Sequence, residues 1–212
     1  MSRTGGAANV ALEGGDVVIA FPVARALILP ATQFRSTPVI NSIETLRGEG
    51  RFEQYAKSLE GRRDEVVLCP VGTWMPIALA GAHYQACDRL GLSIQEQVAM
   101  GRAAAERAST GWLATFLTFA RGGAGLTPWS LLNHLDRLWK RIADGGAVAV
   151  YRLGPKEARV EYVGCELFDI PYYRNGSRGM LDALGGMLSE RHHTHELPRR
   201  ARGEATYRLQ WV

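Results

Sequence analysis

The apolar pattern of this 212-residue chain changes period at Gly145-Gly146. Before the glycine pair, Leu131, Leu132, Leu135, Leu138, Trp139 and Ile142 recur at helical spacing behind Thr127-Pro128, which predicts a helix with proline in its first turn. After the pair, Ala147 to Leu153 and Ala158 to Gly164 are β-rich runs separated by Gly154-Pro155-Lys156-Glu157, a hairpin. The alternation then repeats, with a helical segment from about Gly176 to Leu188 and a second strand pair, Ser189 to Leu197 and Ala205 to Val212. Helices, hairpin, helix, hairpin is an α+β order, in which helices pack on an antiparallel sheet. In the last strand Ala205, Tyr207, Leu209 and Trp211 share one face and Thr206, Arg208 and Gln210 the other, so the sheet is expected to have a core side and a wet side.

The first half carries a strand at Asp16 to Ala20, ended by Phe21-Pro22, and short helices at Ile40 to Leu46 and Phe52 to Leu59, followed by a turn at Gly61-Arg62-Arg63-Asp64. Pro76 opens a longer helix through Ile77, Tyr84, Cys87 and Leu90, which Gly91 ends. Ser93-Ile94-Gln95-Glu96 has capping-box spacing, where hydroxyl and carboxylate satisfy reciprocal amides at a helix start. That helix runs through Val98 and Ala105 and on past Gly111, a kink or boundary, towards Phe119, with Gly122-Gly123 as its stop.

A chain of this length with 46% hydrophobic and 22% charged residues buries a substantial core, and residues 16–212 read as a single domain behind a flexible, glycine-rich tail at Met1 to Gly15. The longest apolar stretch, Val17 to Pro30, is broken by Pro22 and Arg25 and falls short of the roughly 20 residues a membrane span needs. Cys69, Cys87 and Cys165 lie far apart, without metal spacing, as expected for free thiols of a cytoplasmic protein. Net charge is +4, and the one basic cluster, Arg199, Arg200 and Arg202, sits between Pro198 and Gly203 as a hairpin tip; no nucleic-acid partner is expected.

Four short segments carry a family resemblance over Trp74 to Val212: Leu135-Asp136-Arg137-Leu138-Trp139, Val160-Glu161-Tyr162, Gly179 to Gly186 and Ala205 to Trp211. In order and spacing they resemble the superfamily of haem-NO-binding domains, the ligand sensors of aromatic-responsive bacterial activators, and TRAPP-type vesicle-tethering adaptors. They look nearest to a paralogous group of uncharacterised myxobacterial proteins. The resemblance implies a ligand-binding α+β fold and a position for each haem-holding residue. Trp139 matches the histidine that ligates iron, and Tyr162-Val163-Gly164-Cys165-Glu166 matches the Tyr-x-Ser-x-Arg that holds the propionates. Indole nitrogen has no lone pair for a metal, and Glu166 repels a propionate that arginine would attract, so the family's haem site is absent and no cofactor is expected.

The remaining chemistry-bearing residues have bland readings beside sharper ones. His193 and His195 project from one strand face and are weak metal candidates with His192 beside them; Glu190 or Glu196 completes a site only with help from elsewhere. His83 and His134 are lone helical histidines that read either as structural residues or as ligands for a haem held in a non-family manner. Cys87 reads as a buried small hydrophobe or an acylation site. No Gly-x-Ser-x-Gly elbow or phosphate-binding glycine motif occurs. Trp74, Trp112, Trp129, Trp139 and Trp211 read as core or as lining of an apolar pocket.

The leading reading is a non-enzymatic small-molecule sensor or signalling adaptor that self-associates or meets a signalling partner. Its pocket candidates are Trp74, His83, Tyr84, Trp112, His134, Trp139 and Tyr162, and its ligand is an apolar small molecule. The alternatives are a haem or metal protein with a non-family histidine ligand and a structural protein–protein interaction module.

Overall fold

Two runs of β-rich sequence separated by a helix assemble into one sheet. The computed structural model describes residues 14–109 and 127–212. The strands are β1 (Asp16–Ile19), β2 (Gln33–Arg35), β3 (Trp74–Pro76), β4 (Ala147–Gly154), β5 (Glu157–Val163), β6 (His192–Leu197) and β7 (Ala205–Trp211). Both expected hairpins form, and β1, β4, β5, β7 and β6 make an antiparallel sheet in that order, while β2 and β3 form a separate ribbon. At the open end of the first hairpin the backbones of Gly146 and Gly164 close together with φ of +66° and +74°, a conformation that only glycine adopts cheaply.

The helices are α1 (Ser36–Gly48), α2 (Phe52–Ser58), α3 (Arg63–Val67), α4 (Ile77–Asp88), α5 (Ile94–Ser109), α6 (Pro128–Leu132), α7 (Leu135–Ile142) and α8 (Pro171–Gly186). The Ser93 box caps α5 as expected: the Ser93 amide donates to Glu96 Oε2 at 2.8 Å, and the Glu96 amide to Ser93 Oγ at 3.3 Å. The stretch from Gly111 to Gly123 expected to finish that helix lies outside the described residues.

Helices α5 and α8 cross closely enough for backbones to touch. A Cβ on Gly101 would lie 2.0 Å from the Gly176 carbonyl oxygen, and one on Gly179 would lie 2.0 Å from that of Val98. Gly185 likewise makes room for the His192 ring, which a Cβ would meet at 2.1 Å.

Five expectations are corrected. The helix expected over Thr127 to Ile142 is two, α6 and α7, because His134 leaves helical geometry at φ −123° and its amide takes a tight bond to the Leu131 carbonyl. Its apolar period runs through the break because Leu131, Leu132, Leu135 and Trp139 are all buried. Helix α8 starts at Pro171, five residues ahead of Gly176, with proline in its first turn. The turn expected at Gly61 to Asp64 is a 3-10 turn, Glu60–Arg62, running into α3. Residues Trp74–Pro76 before α4 are a strand too short to show an alternating pattern; β3 pairs Met75 with Phe34.

The fifth correction concerns the wet face of the sheet. Arg208 and Gln210 are exposed, but Arg159 and Glu161 are buried, at 6% and 2% exposure. The 3-10 turn Arg25–Leu27 covers them. Glu161 accepts from Arg25 Nη1 at 2.9 Å and forms an ion pair with Arg159, whose Nε lies 3.0 Å away, while Arg25 also pairs with Glu204 at 2.6 Å.

Candidate functional site

Helix α7 reaches the sheet through Trp139, which is 4% exposed. Its ring lies 5.3 Å from Tyr162 of β5 and stacks at 6.0 Å on Phe168, in the 3-10 turn Glu166–Asp169 before α8. Phe168 meets Tyr173 at 5.0 Å, and Tyr173 meets Tyr84 of α4 at 4.7 Å and Phe34 of β2 at 6.0 Å. This chain of rings walls a cavity of about 320 Å³. Across from the rings lie Met100, Gly101, Ala104 and Ala105 of α5 and Met180, Leu181 and Leu184 of α8. The small residues of α5 leave the volume open, whereas larger side chains there would fill it.

The cavity wall is almost wholly apolar. Its polar side chains include Thr37, Asn41 and Ser42 on α1, Ser177 on α8, Arg35 at the end of β2 and Arg141 at the end of α7. A bridge between Phe34 and Ala143 brings that end of β2 to that end of α7. Asp144 fastens the junction, accepting from the amides of Thr32 and Gln33 at 2.8 Å each and from the Thr32 hydroxyl at 2.6 Å. Burial acts to raise the Asp144 pKa, but the Thr32 hydroxyl and the two amides outweigh it and hold the carboxyl below its ordinary value.

Of the residues singled out in the sequence, Tyr84, Trp139 and Tyr162 line this cavity. Trp74 does not: it is 37% exposed, beneath the Arg35 guanidinium at 4.0 Å. His83 is also displaced from the candidate pocket. It is fully buried behind Tyr84, with Nδ1 2.8 Å from the Tyr55 hydroxyl and Nε2 3.7 Å from the Cys87 sulfur, and burial pushes its pKa down to about 3. Cys87 is buried and its thiol pushed up by burial. His134 caps α7 and does not line the cavity, and Trp112 lies outside the described residues.

His193 and His195 are exposed on β6, while His192 turns inward, 3.3 Å from Asp182 and stacked on Trp211 at 6.2 Å. Among the described residues no three His, Cys, Asp or Glu side chains gather as a metal site. No helix among them is long and apolar enough to cross a membrane.

Trp139 and Glu166 stand where the sequence resemblance expects a haem ligand and a propionate clamp. Trp139 Nε1 donates to the Gly145 carbonyl at 3.0 Å, and Glu166 is exposed. No imidazole is among the described lining residues. Burial raises the Tyr84, Tyr162, Tyr172 and Tyr173 hydroxyls above their ordinary pKa, so they stand in the wall as neutral phenols.

Solved structures share this architecture. The fold is that of H-NOX domains. An unliganded Fe(II) H-NOX protein from K. algicida, carrying one substitution, superposes with a TM-score of 0.61 at 9% identity, over 84% of this chain and 96% of that one. A T. tengcongensis H-NOX mutant gives 0.60 at 17%, over 84% and 97%. The oxygen complex of an H-NOX domain related to soluble guanylate cyclases gives 0.58 at 15%, over 84% and 94%. No family model matches the chain, and no curated protein matches it.

Sequence reasoning missed Phe34, Phe168, Tyr172 and Tyr173 as cavity residues. For the two tyrosines a signal was present: Pro171 marks a helix start and places both in the first turn of α8. Phe34 had none, since it reaches the cavity through a three-residue strand.

Proposed function

We propose that residues 16–212 form one ligand-binding domain of a non-enzymatic sensor or signalling adaptor, whose cavity takes an apolar small molecule in place of haem held through α7. The observation that carries this reading is Trp139. At the position on α7 where the family resemblance expects the iron ligand stands an indole, which lacks a lone pair for a metal and spends its N–H on Gly145. Its stacking on Phe168 and packing on Tyr162 make it part of the wall of a cavity that remains open at about 320 Å³. That volume falls within the roughly 300–1,000 Å³ of small-molecule pockets, and a few polar groups on an apolar wall match their usual design. The H-NOX neighbours include a domain described by its heme redox potential and one in its oxygen complex, so the scaffold suits sensing. Free Cys69, Cys87 and Cys165 suit the cytoplasm, and the output passes to a second copy or a signalling partner.

Native mass spectrometry of the purified protein tests this. A bound organic species, or saturable uptake of naphthalene-sized probes that Ala104→Phe abolishes, is expected; a protein that takes up none of them contradicts the proposal.

A further inference from the structure

The apolar cavity also carries cationic side chains. Among the described residues that line the cavity there are two arginines and no carboxylate. Arg35 is held at the rim: Nη1 donates to the Gly72 carbonyl at 2.7 Å, Gly72 is itself on the cavity wall, and the guanidinium lies flat over Trp74 at 4.0 Å. One N–H group is thereby used, and the other four of the fork have no carboxylate partner among the described residues. Arg141, two residues before the Ala143 that bridges to Phe34, also lines the cavity, and no ion pair joins it to a carboxylate among the described residues. Its helix neighbour Asp136 pairs with Lys140 instead, at 3.6 Å.

An anion in this cavity would meet two guanidinium groups and no opposing carboxylate among the described lining residues. Thr37 and Asn41, in the first turns of the 13-residue α1, add neutral polar groups at its positive end. The contact with Trp74 holds the planar Arg35 guanidinium in place, and its fork suits paired contact with a carboxylate.

We propose that the cavity binds an amphipathic monocarboxylate, with the apolar body against Trp139, Phe168 and Tyr173 and the carboxylate at the mouth between Arg35 and Arg141. This rests on the reading that the cavity is a ligand site and adds the chemical class of the ligand. Size follows from the same cavity. An apolar cavity of roughly 150 Å³ holds one benzene ring, so about 320 Å³ takes two fused rings or an alkyl chain of similar bulk.

The test is calorimetric titration of the full chain with two isosteric pairs, 2-naphthoate against naphthalene-2-carboxamide and decanoate against decanamide. Each carboxylate is expected to bind at least about tenfold tighter than its amide, as one charge-assisted hydrogen bond requires. In Arg35→Gln/Arg141→Gln that preference is expected to collapse while amide affinity is kept, which shows the chamber intact. The better-bound pair tells aryl from alkyl bodies. Equal binding of acid and amide, or a preference that survives the double substitution, overturns the carboxylate assignment and leaves the cavity reading standing. No binding of any of the four probes overturns both.

Discussion

The indole Nε1 of Trp139 donates to the Gly145 carbonyl at 3.0 Å, across the turn that joins α7 to β4. One residue therefore closes the cavity and ties the end of a helix to the start of the sheet. Trp139→Ala is expected to destabilise the protein by about 3–5 kcal/mol, because a large buried ring and its hydrogen bond are lost together. Urea unfolding with and without naphthalene checks this. The variant's enlarged cavity is expected to recover part of the loss on binding the probe, and a variant as stable as the parent would show that Trp139 is not the wall described.

The α5–α8 crossing gives a sharper contrast. Gly101→Ala drives a methyl into the Gly176 carbonyl, 2.0 Å away, and is expected to cost about 3 kcal/mol. Gly176→Ala meets nothing within 4 Å and is expected to gain about 0.5–1 kcal/mol from reduced backbone freedom. Thermal unfolding of the pair separates a packing effect from a general intolerance of these helices.

Acid should unfold the protein in two stages. His83 is held at about 3 in the fold by burial against 6.5 in the open chain, so the unfolded state binds the extra proton between those values. Stability from keeping it neutral is complete above pH 6.5 and falls as pH drops towards 3, with a total on the order of 5 kcal/mol. His192, lowered by burial despite Asp182, acts in the same sense. The carboxyls of Asp144 and Asp169, lowered by their hydrogen bonds, lose their contribution only at more acid pH. Unfolding midpoints measured from pH 7 to pH 4 should slope downward, and His83→Gln should flatten the slope; an unchanged slope would refute the assignment.

The buried ion network on the outer sheet face should respond unequally. Glu161→Ala leaves Arg25 and Arg159 facing each other and is expected to cost about 3 kcal/mol, as expected for a charge buried without its partner. Glu204→Gln, which leaves Glu161 in place, is expected to cost at most about 1 kcal/mol. Chemical denaturation of both variants provides the comparison.

Much of the fold was legible because its signals are local. Gly145-Gly146 marked the change from helix to hairpin, and Ser93 and Glu96 marked the cap of α5. The break at His134 was not, because apolar spacing continues across it. Trp139, Tyr84 and Tyr162 were legible as cavity residues through resemblance and periodicity. Arg35 and Arg141 were not, since the approach of their two segments rests on one bridge between residues more than a hundred positions apart, and nothing nearby in sequence announces it. His83 drew notice as a polar residue on a helix, yet its role is set by Tyr55 on another helix.

The central claim is that this H-NOX fold keeps a ligand chamber without the means to hold haem through α7. Absorbance of the protein purified from cells supplied with excess haem tests it most directly, followed by titration of the same sample with 2-naphthoate. The account predicts no stoichiometric Soret band and saturable binding of the probe. A one-to-one Soret band that blocks the probe would contradict it.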